Sequence, residues 1–111
     1  MKSLVSIIIP AYNAEKYVKV AVDSALGQTY PSIEVIIIND GSVDGTAEAV
    51  KPYLSDKRVV YFEQPNGGIS RARNKAFELS HGDYITFLDT DDIDALEKVE
   101  ELAKMTRSLG G

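Results

Sequence analysis

The chain has 111 residues, 44% of them hydrophobic and 26% charged, a balance that suits one soluble globular domain or part of a larger one. Its net charge of -5 argues against nucleic acid or an anionic membrane surface as the main partner, while leaving a nucleotide open, because a bound metal reverses the local charge. There is no cysteine, so disulfides and thiolate metal sites are excluded, and the apolar run 4–10 is too short for a signal peptide or a membrane span; a cytoplasmic protein is expected.

Residues 4–9 read Leu-Val-Ser-Ile-Ile-Ile, rich in β-branched side chains, and predict a first strand closed by Pro10. Ala14, Tyr17, Val18, Ala21, Val22, Ala25 and Leu26 then recur at helical spacing. They predict an amphipathic helix with Asn13 as its N-cap and Gly27 near its end. Tyr30-Pro31-Ser32 is a turn. Residues 33–38 are apolar almost throughout and predict a second strand covered on both faces, as in a parallel sheet.

Past the loop Asn39-Asp40-Gly41-Ser42, a helix is expected from about 44 to 51, where Pro52 ends or kinks it. Residues 59–62 predict a third strand, Asn66-Gly67-Gly68 a turn, and 69–79 a third helix ended by Ser80-His81-Gly82. A fourth strand follows over 83–88 and a last helix over about 94–108, with Leu96, Val99, Leu102, Ala103 and Met105 or Leu109 facing inward. Strand and helix alternate four times, which implies a parallel, three-layer α/β sheet with right-handed crossovers. The polar loops after strands one, two and four then share one sheet edge, where open α/β sheets bind ligands. They carry Tyr12, Asp40 and Asp89-Thr90-Asp91-Asp92.

Asp83, Asp89, Asp91, Asp92 and Asp94 crowd into a dozen residues. Carboxylates this close repel one another, and a hard divalent cation relieves the repulsion while leaving open positions for a phosphate. A calcium-binding EF-hand loop fits poorly: Ile93 and Asp94 stand where an oxygen ligand and a glycine are needed, although Glu100 occupies the twelfth place. A solvated acidic turn is the other reading, since Asp92 and Asp94 would suit the positive end of the last helix. After the first strand stands Pro10-Ala11-Tyr12-Asn13-Ala14-Glu15, not Gly-x-Gly-x-x-Gly, and there is no Gly-Lys-Ser/Thr loop. The first absence speaks against a nicotinamide or flavin enzyme, and the second leaves no phosphate loop of that type.

Five segments in order carry a family resemblance. They are residues 6–13 (Ser-Ile-Ile-Ile-Pro-Ala-Tyr-Asn), 28–30 (Gln-Thr-Tyr), 39–46 (Asn-Asp-Gly-Ser-Val-Asp-Gly-Thr), 66–74 (Asn-Gly-Gly-Ile-Ser-Arg-Ala-Arg-Asn) and 82–92 (Gly-Asp-Tyr-Ile-Thr-Phe-Leu-Asp-Thr-Asp-Asp). From Val5 to about Leu102 the chain resembles the amino-terminal half of the glycosyltransferase family 2 catalytic domain. The resemblance implies a Rossmann-like sheet that forms half of a GT-A fold and binds a nucleoside-diphosphate sugar, a UDP-sugar above all. It also implies Mn²⁺ or Mg²⁺ and transfer of the sugar to an acceptor hydroxyl with inversion. The acceptor in the full-length enzyme would be a saccharide or a lipid-linked group, handled in the cytoplasm or at the cytosolic face of a membrane, with no nucleic acid involved.

Carried over residue by residue, Pro10 and Tyr12 would border the base, with Tyr12 stacking on it. Glu15 would reach base or ribose; otherwise it is an exposed first-turn acid. Asp40 would accept a hydrogen bond from a base with a ring N–H, or else bond its own loop backbone. Gly41 permits a tight turn, and Asp44 is a helix-start residue rather than a ligand. Arg73 would face diphosphate or acid loop; Arg71, about 200° around the helix, is surface. Asn74 would help fix the loop after strand one, and His81 is a cap or surface residue. Asp91 would coordinate the metal directly, Asp89 would contact ribose or hold the metal through water, and Thr90 lies between them in the donor-binding segment.

An inverting transfer needs a general base. The resemblance puts that carboxylate in the later half of the domain, so none is assigned within these residues, and 1–111 is expected to be a truncated donor-binding half-domain. On its own it would bind donor and metal and transfer little. The alternative function is a non-catalytic nucleotide- and metal-binding half-domain. Strand four would present an open apolar edge, so a homo-dimer through that edge, or marginal stability, is expected.

Overall fold

Strands and helices alternate along residues 3–27 and 30–88, the part of the chain that the computed structural model describes. In order they are β1 (Val5–Ala11), α1 (Val18–Leu26), β2 (Ile33–Asp40), α2 (Thr46–Val50) running into a 3₁₀ turn (Lys51–Tyr53), β3 (Val59–Gln64), α3 (Ile69–Leu79) and β4 (Tyr84–Phe87). The strands form one sheet in the order β3-β2-β1-β4, and every neighbouring pair is parallel. The expected α/β architecture is therefore observed. The last predicted helix lies outside the described residues.

The apolar run of β2 is explained by cover on both faces. One face packs Ile7, Ile9, Val35 and Ile37 against Ala14, Val18, Ala21, Val22 and Ala25 of the α1 region. The other packs Ile8, Ile36 and Ile38 against Ala72 and Ala76 of α3. Burying an isoleucine fully contributes about 1.5–3 kcal/mol. Small Ala72 and Ala76 stand four residues apart on one face of α3, which lets that helix approach the sheet closely.

Three expectations are corrected by local physics. Pro10 does not close β1: it pairs with Ile38, and the strand runs on to Ala11. The Leu4 and Ile8 carbonyls accept from Tyr84 and Leu88, so even-numbered residues of β1 turn their backbone toward β4. Pro10 falls past the last β1–β4 pair, Ile8 with Phe87, so its missing N–H costs no ladder bond.

Asn13 is not the cap of α1. It stands at φ 48°, and α1 proper begins at Val18, after a turn in which the Ala14 carbonyl accepts from both Tyr17 and Val18. The helix expected over 44–51 is shorter, α2 alone, but Pro52 ends it as expected, by diverting the chain into the 3₁₀ turn.

Candidate functional site

A cleft of about 450 Å³ opens at the carboxyl ends of β1 and β2. Its walls are Pro10 to Ala14 after β1, Tyr17, Asp40 at the end of β2, and Asn66, Gly68, Ile69 and Ala72 around the start of α3. Volume and lining fall in the range of small-molecule sites: an apolar, partly aromatic surface with few polar groups. Tyr12 and Tyr17 are each about half exposed, so two aromatic rings border the opening.

Asp40 is the one buried carboxylate among the described residues, at 5% exposure. Its Oδ1 accepts from Gln64 Nε2 and the Gly67 amide, both at 3.0 Å, and its Oδ2 accepts from the Gly68 amide at 3.0 Å. A carboxylate offers about four acceptor positions, so one remains for a ligand donor. The two sequence readings of Asp40 are thus compatible in one side chain: it lines the cleft, and it bonds backbone, though of a different loop.

Gly41 makes the approach possible. It stands at φ +72°, and a Cβ there would lie 2.5 Å from the Asn66 amide nitrogen. At the back of the same loop, Asn39 bridges Tyr61 and the Ser42 amide. Burial, aided by the hydrogen bond to Glu63, pushes the Tyr61 hydroxyl up to about 12, so it stays a neutral donor there.

The loops after β1 and β2 are clasped together. The Asn13 amide donates to Ser42 Oγ and the Val43 amide donates to Asn13 Oδ1, both at 2.9 Å. The Ala14 amide donates to Thr46 Oγ1 at 2.9 Å, and the Glu15 amide donates to Asp44 Oδ2 at 3.3 Å. Asp44 Oδ1 accepts from both the hydroxyl and the amide of Thr46, at 2.5 and 3.0 Å. The Thr46 bond is the main reason the Asp44 carboxyl sits below its ordinary value. Asp44 is thus a structural hydrogen-bond acceptor at a helix start, as expected.

Other predicted residues are distributed as follows. Pro10, Tyr12 and Asp40 meet in the cleft. Glu15 does not line it: its carboxylate lies over Gly45, 2.5 Å from where a Cβ would stand. Arg73 stacks its guanidinium on Phe87, 4.9 Å from the ring centre, beside β4. Arg71 folds against Gly67. Asp89, Thr90 and Asp91 lie outside the described residues. Among the described residues no group of three or more His, Cys, Asp or Glu side chains could hold a metal. None of their helices is long and apolar enough to cross a membrane.

His81 sits at the opposite end of the sheet. There its amide and ring meet the Glu34 carboxylate, at 2.5 and 3.2 Å, with Ser6 as a third partner. Sequence reading missed Asn13, Tyr17, Asn66, Gly68, Ile69 and Ala72 as cleft residues. The Asn-Gly-Gly turn after β3 was the available signal, because paired glycines before a helix allow a backbone to approach closely.

The chain has relatives among known proteins. The model for "Glycosyl transferase family 2" matches residues 6–109. The chain belongs to that family. It is 42% identical over 101 residues to glycosyltransferase GlyA of Streptococcus pneumoniae, covering 90% of this chain and 14% of that protein. The structure of S. aureus TarS 1-349 in complex with UDP-GlcNAc superposes with a TM-score of 0.81 at 30% identity, over 97% of this chain and 32% of TarS 1-349. The mannosyltransferase PcManGT of Pyrobaculum calidifontis, in complex with GDP-Man and Mn²⁺, gives 0.75 at 27% identity over 82% of this chain and 28% of that one. The family 2 chain described here therefore has the fold of the amino-terminal part of a GT-A glycosyltransferase, and it spans about a third or less of these relatives.

Proposed function

We propose that this chain supplies the donor site of an inverting glycosyltransferase that uses a UDP-sugar. The observation that carries the reading is the cleft itself: aromatic at its mouth, and lined by one buried carboxylate that accepts three hydrogen bonds from the chain and has room for a fourth. Tyr12 would stack on the base, and Asp40 would accept from a ring N–H such as that of uracil. Support comes from the TarS relative, whose structure is a complex with UDP-GlcNAc.

Asp91, with Asp89, would hold Mn²⁺ or Mg²⁺, a donor set of carboxylates that suits a hard cation. The fold supports this placement. The Leu88 amide donates to the Ile8 carbonyl at 2.8 Å, so the chain leaves β4 beside β1, next to the cleft, immediately before Asp89. When bound, the cation offsets the charge that builds on the departing nucleoside diphosphate. Arg73, placed beside β4 by Phe87, would neutralise part of the diphosphate. The general base and the acceptor site belong to a part of the enzyme beyond these residues, in a cytoplasmic setting.

Calorimetric titration with UDP, with and without Mn²⁺, on the wild type and Asp91→Ala tests the proposal. Metal-dependent binding that the substitution abolishes is the expected result. A folded wild type that binds no nucleoside diphosphate would sink it, and would leave a half-domain that keeps the family fold without the donor site.

A further inference from the structure

No hydrogen bond among the described residues anchors the Tyr12 side chain. The ring is 53% exposed. With no polar anchor of its own, the ring depends on where the backbone carries it. The next residue, Asn13, stands at φ 48°, a left-handed conformation that a non-glycine residue adopts at a cost. Such a conformation persists only where the surroundings over-determine it. Here they do: the Asn13 amide and side chain are bonded to Ser42 and Val43, and the two following amides are bonded to Thr46 and Asp44.

The innermost of these bonds is the most constrained. Thr46 is fully buried and Ala14 is 3% exposed, so the Ala14 amide has no access to water as a substitute partner. The Thr46 hydroxyl can receive that amide only if its own proton points elsewhere. Asp44 Oδ1 takes the proton at 2.5 Å and leaves a lone pair facing Ala14. Gly45 keeps the space open for Glu15 to lie across the same joint. The two loops behave as one body, and Tyr12 is carried on it.

We propose that Thr46 and Asp44 are positioning residues for ligand binding: their clasp on Ala14 and Glu15 fixes Asn13 in its left-handed conformation and so aims the Tyr12 ring into the cleft. The inference rests on the donor-site reading for the identity of the ligand, but the clasp can be tested without it.

The experiment compares Thr46→Val with Thr46→Ser, each alone and in a Tyr12→Ala background. UDP affinity is measured by calorimetry with Mn²⁺ present. The Tyr12 ring signals and Ala14 amide exchange are followed by NMR in the ligand-free chain. Thr46→Val is expected to weaken UDP binding about fivefold, the effect of one neutral hydrogen bond, and Thr46→Ser to restore it to within about twofold. In the Tyr12→Ala background the same Thr46→Val change should alter affinity by less than about twofold, since no ring remains to be misaimed.

An equal loss in both backgrounds would overturn the proposal, because the clasp would then act other than through Tyr12. Wild-type affinity in a folded Thr46→Val protein would overturn it too. If the wild type binds no UDP, the donor-site reading falls, and the ligand-free spectra decide the clasp. Faster Ala14 exchange and shifted Tyr12 ring signals in Thr46→Val, reversed in Thr46→Ser, support it; unchanged spectra overturn it. If Thr46→Val does not fold, Asp44→Asn serves in its place. It keeps the Thr46 bonds and sets an amide group against the Glu15 N–H, and the same dependence on Tyr12 is expected.

Discussion

Asp40 Oδ2 accepts the Gly68 amide at 3.0 Å, so a carboxylate at the end of β2 caps α3 from a distant part of the chain. The helix has no side-chain cap of its own at Gly68, and Asp40 Oδ1 also takes the Gly67 amide. A negative charge there suits the helix dipole as well. Asp40→Asn would turn an NH₂ group toward at least one of these donors. It should destabilise the fold by about 1–3 kcal/mol, the cost of leaving a buried donor unsatisfied. Urea unfolding checks this, and an unchanged midpoint would remove the capping role.

The two left-handed glycines of the site should separate cleanly. Gly41 combines φ +72° with a virtual Cβ 2.5 Å from a backbone nitrogen, so Gly41→Ala meets strain and a clash that cannot relax cheaply. Gly68 stands at φ +91° with open space around it, so Gly68→Ala meets strain alone. The expected losses are roughly 1–2 kcal/mol for Gly68→Ala and clearly more for Gly41→Ala. Equal midpoints in urea for the two variants would contradict the crowding at Asn66.

Much of the fold was legible because its signals are short-range. The unbroken apolar run of β2 announced cover on both faces, and Pro52 ended α2 where the missing amide demanded. What escaped depends on distant partners. Tyr17 fits the helical spacing of buried residues, yet it belongs to the turn before α1, so its ring swings out to the cleft. Asn13 is a residue type that caps helices, but the Glu15 amide it would have served goes to Asp44, and the Ala14 amide beside it to Thr46, about thirty positions on. Asp40 was read as a ligand contact or a local loop bond, and its true backbone partners follow β3. The pairing of loops across a parallel sheet has no local period, so spacing alone does not reveal it.

Carboxylates at the far end of the sheet should contribute to the acid limit of stability. Burial alone would push Glu34 up, but hydrogen bonds from Ser6 and from the amide and ring of His81 more than offset this and bring it below its ordinary 4.5. Asp56 is drawn down to about 2 by hydrogen bonds from Arg58, whose guanidinium also reaches the Leu26 carbonyl. Both groups have folded values below their unfolded ones. The stability they contribute is therefore complete above about pH 5 and lost as pH falls through the folded values, for Asp56 toward pH 2. Urea midpoints measured from pH 7 to pH 2.5 should decline below pH 5. Glu34→Gln should lower the neutral value and flatten part of the acid decline; a slope unchanged in that variant would contradict the role given to Glu34.

Tyr12 allows stacking to be separated from hydrogen bonding in the proposed donor site. Its hydroxyl has no partner among the described residues, and its ring lines the cleft. Tyr12→Phe keeps the ring face and should leave UDP affinity within about twofold of the wild type. Tyr12→Ala removes the platform, and a base–aromatic stack contributes about 1–3 kcal/mol, so affinity should fall by about fivefold to a hundredfold. Stability should hardly change in either variant, because an exposed ring contributes little to the core. Calorimetry with UDP and Mn²⁺, paired with a urea melt of each variant, reads both quantities. If Tyr12→Phe loses as much affinity as Tyr12→Ala, the hydroxyl carries the contact, and the ligand meets Tyr12 edge-on rather than across its face.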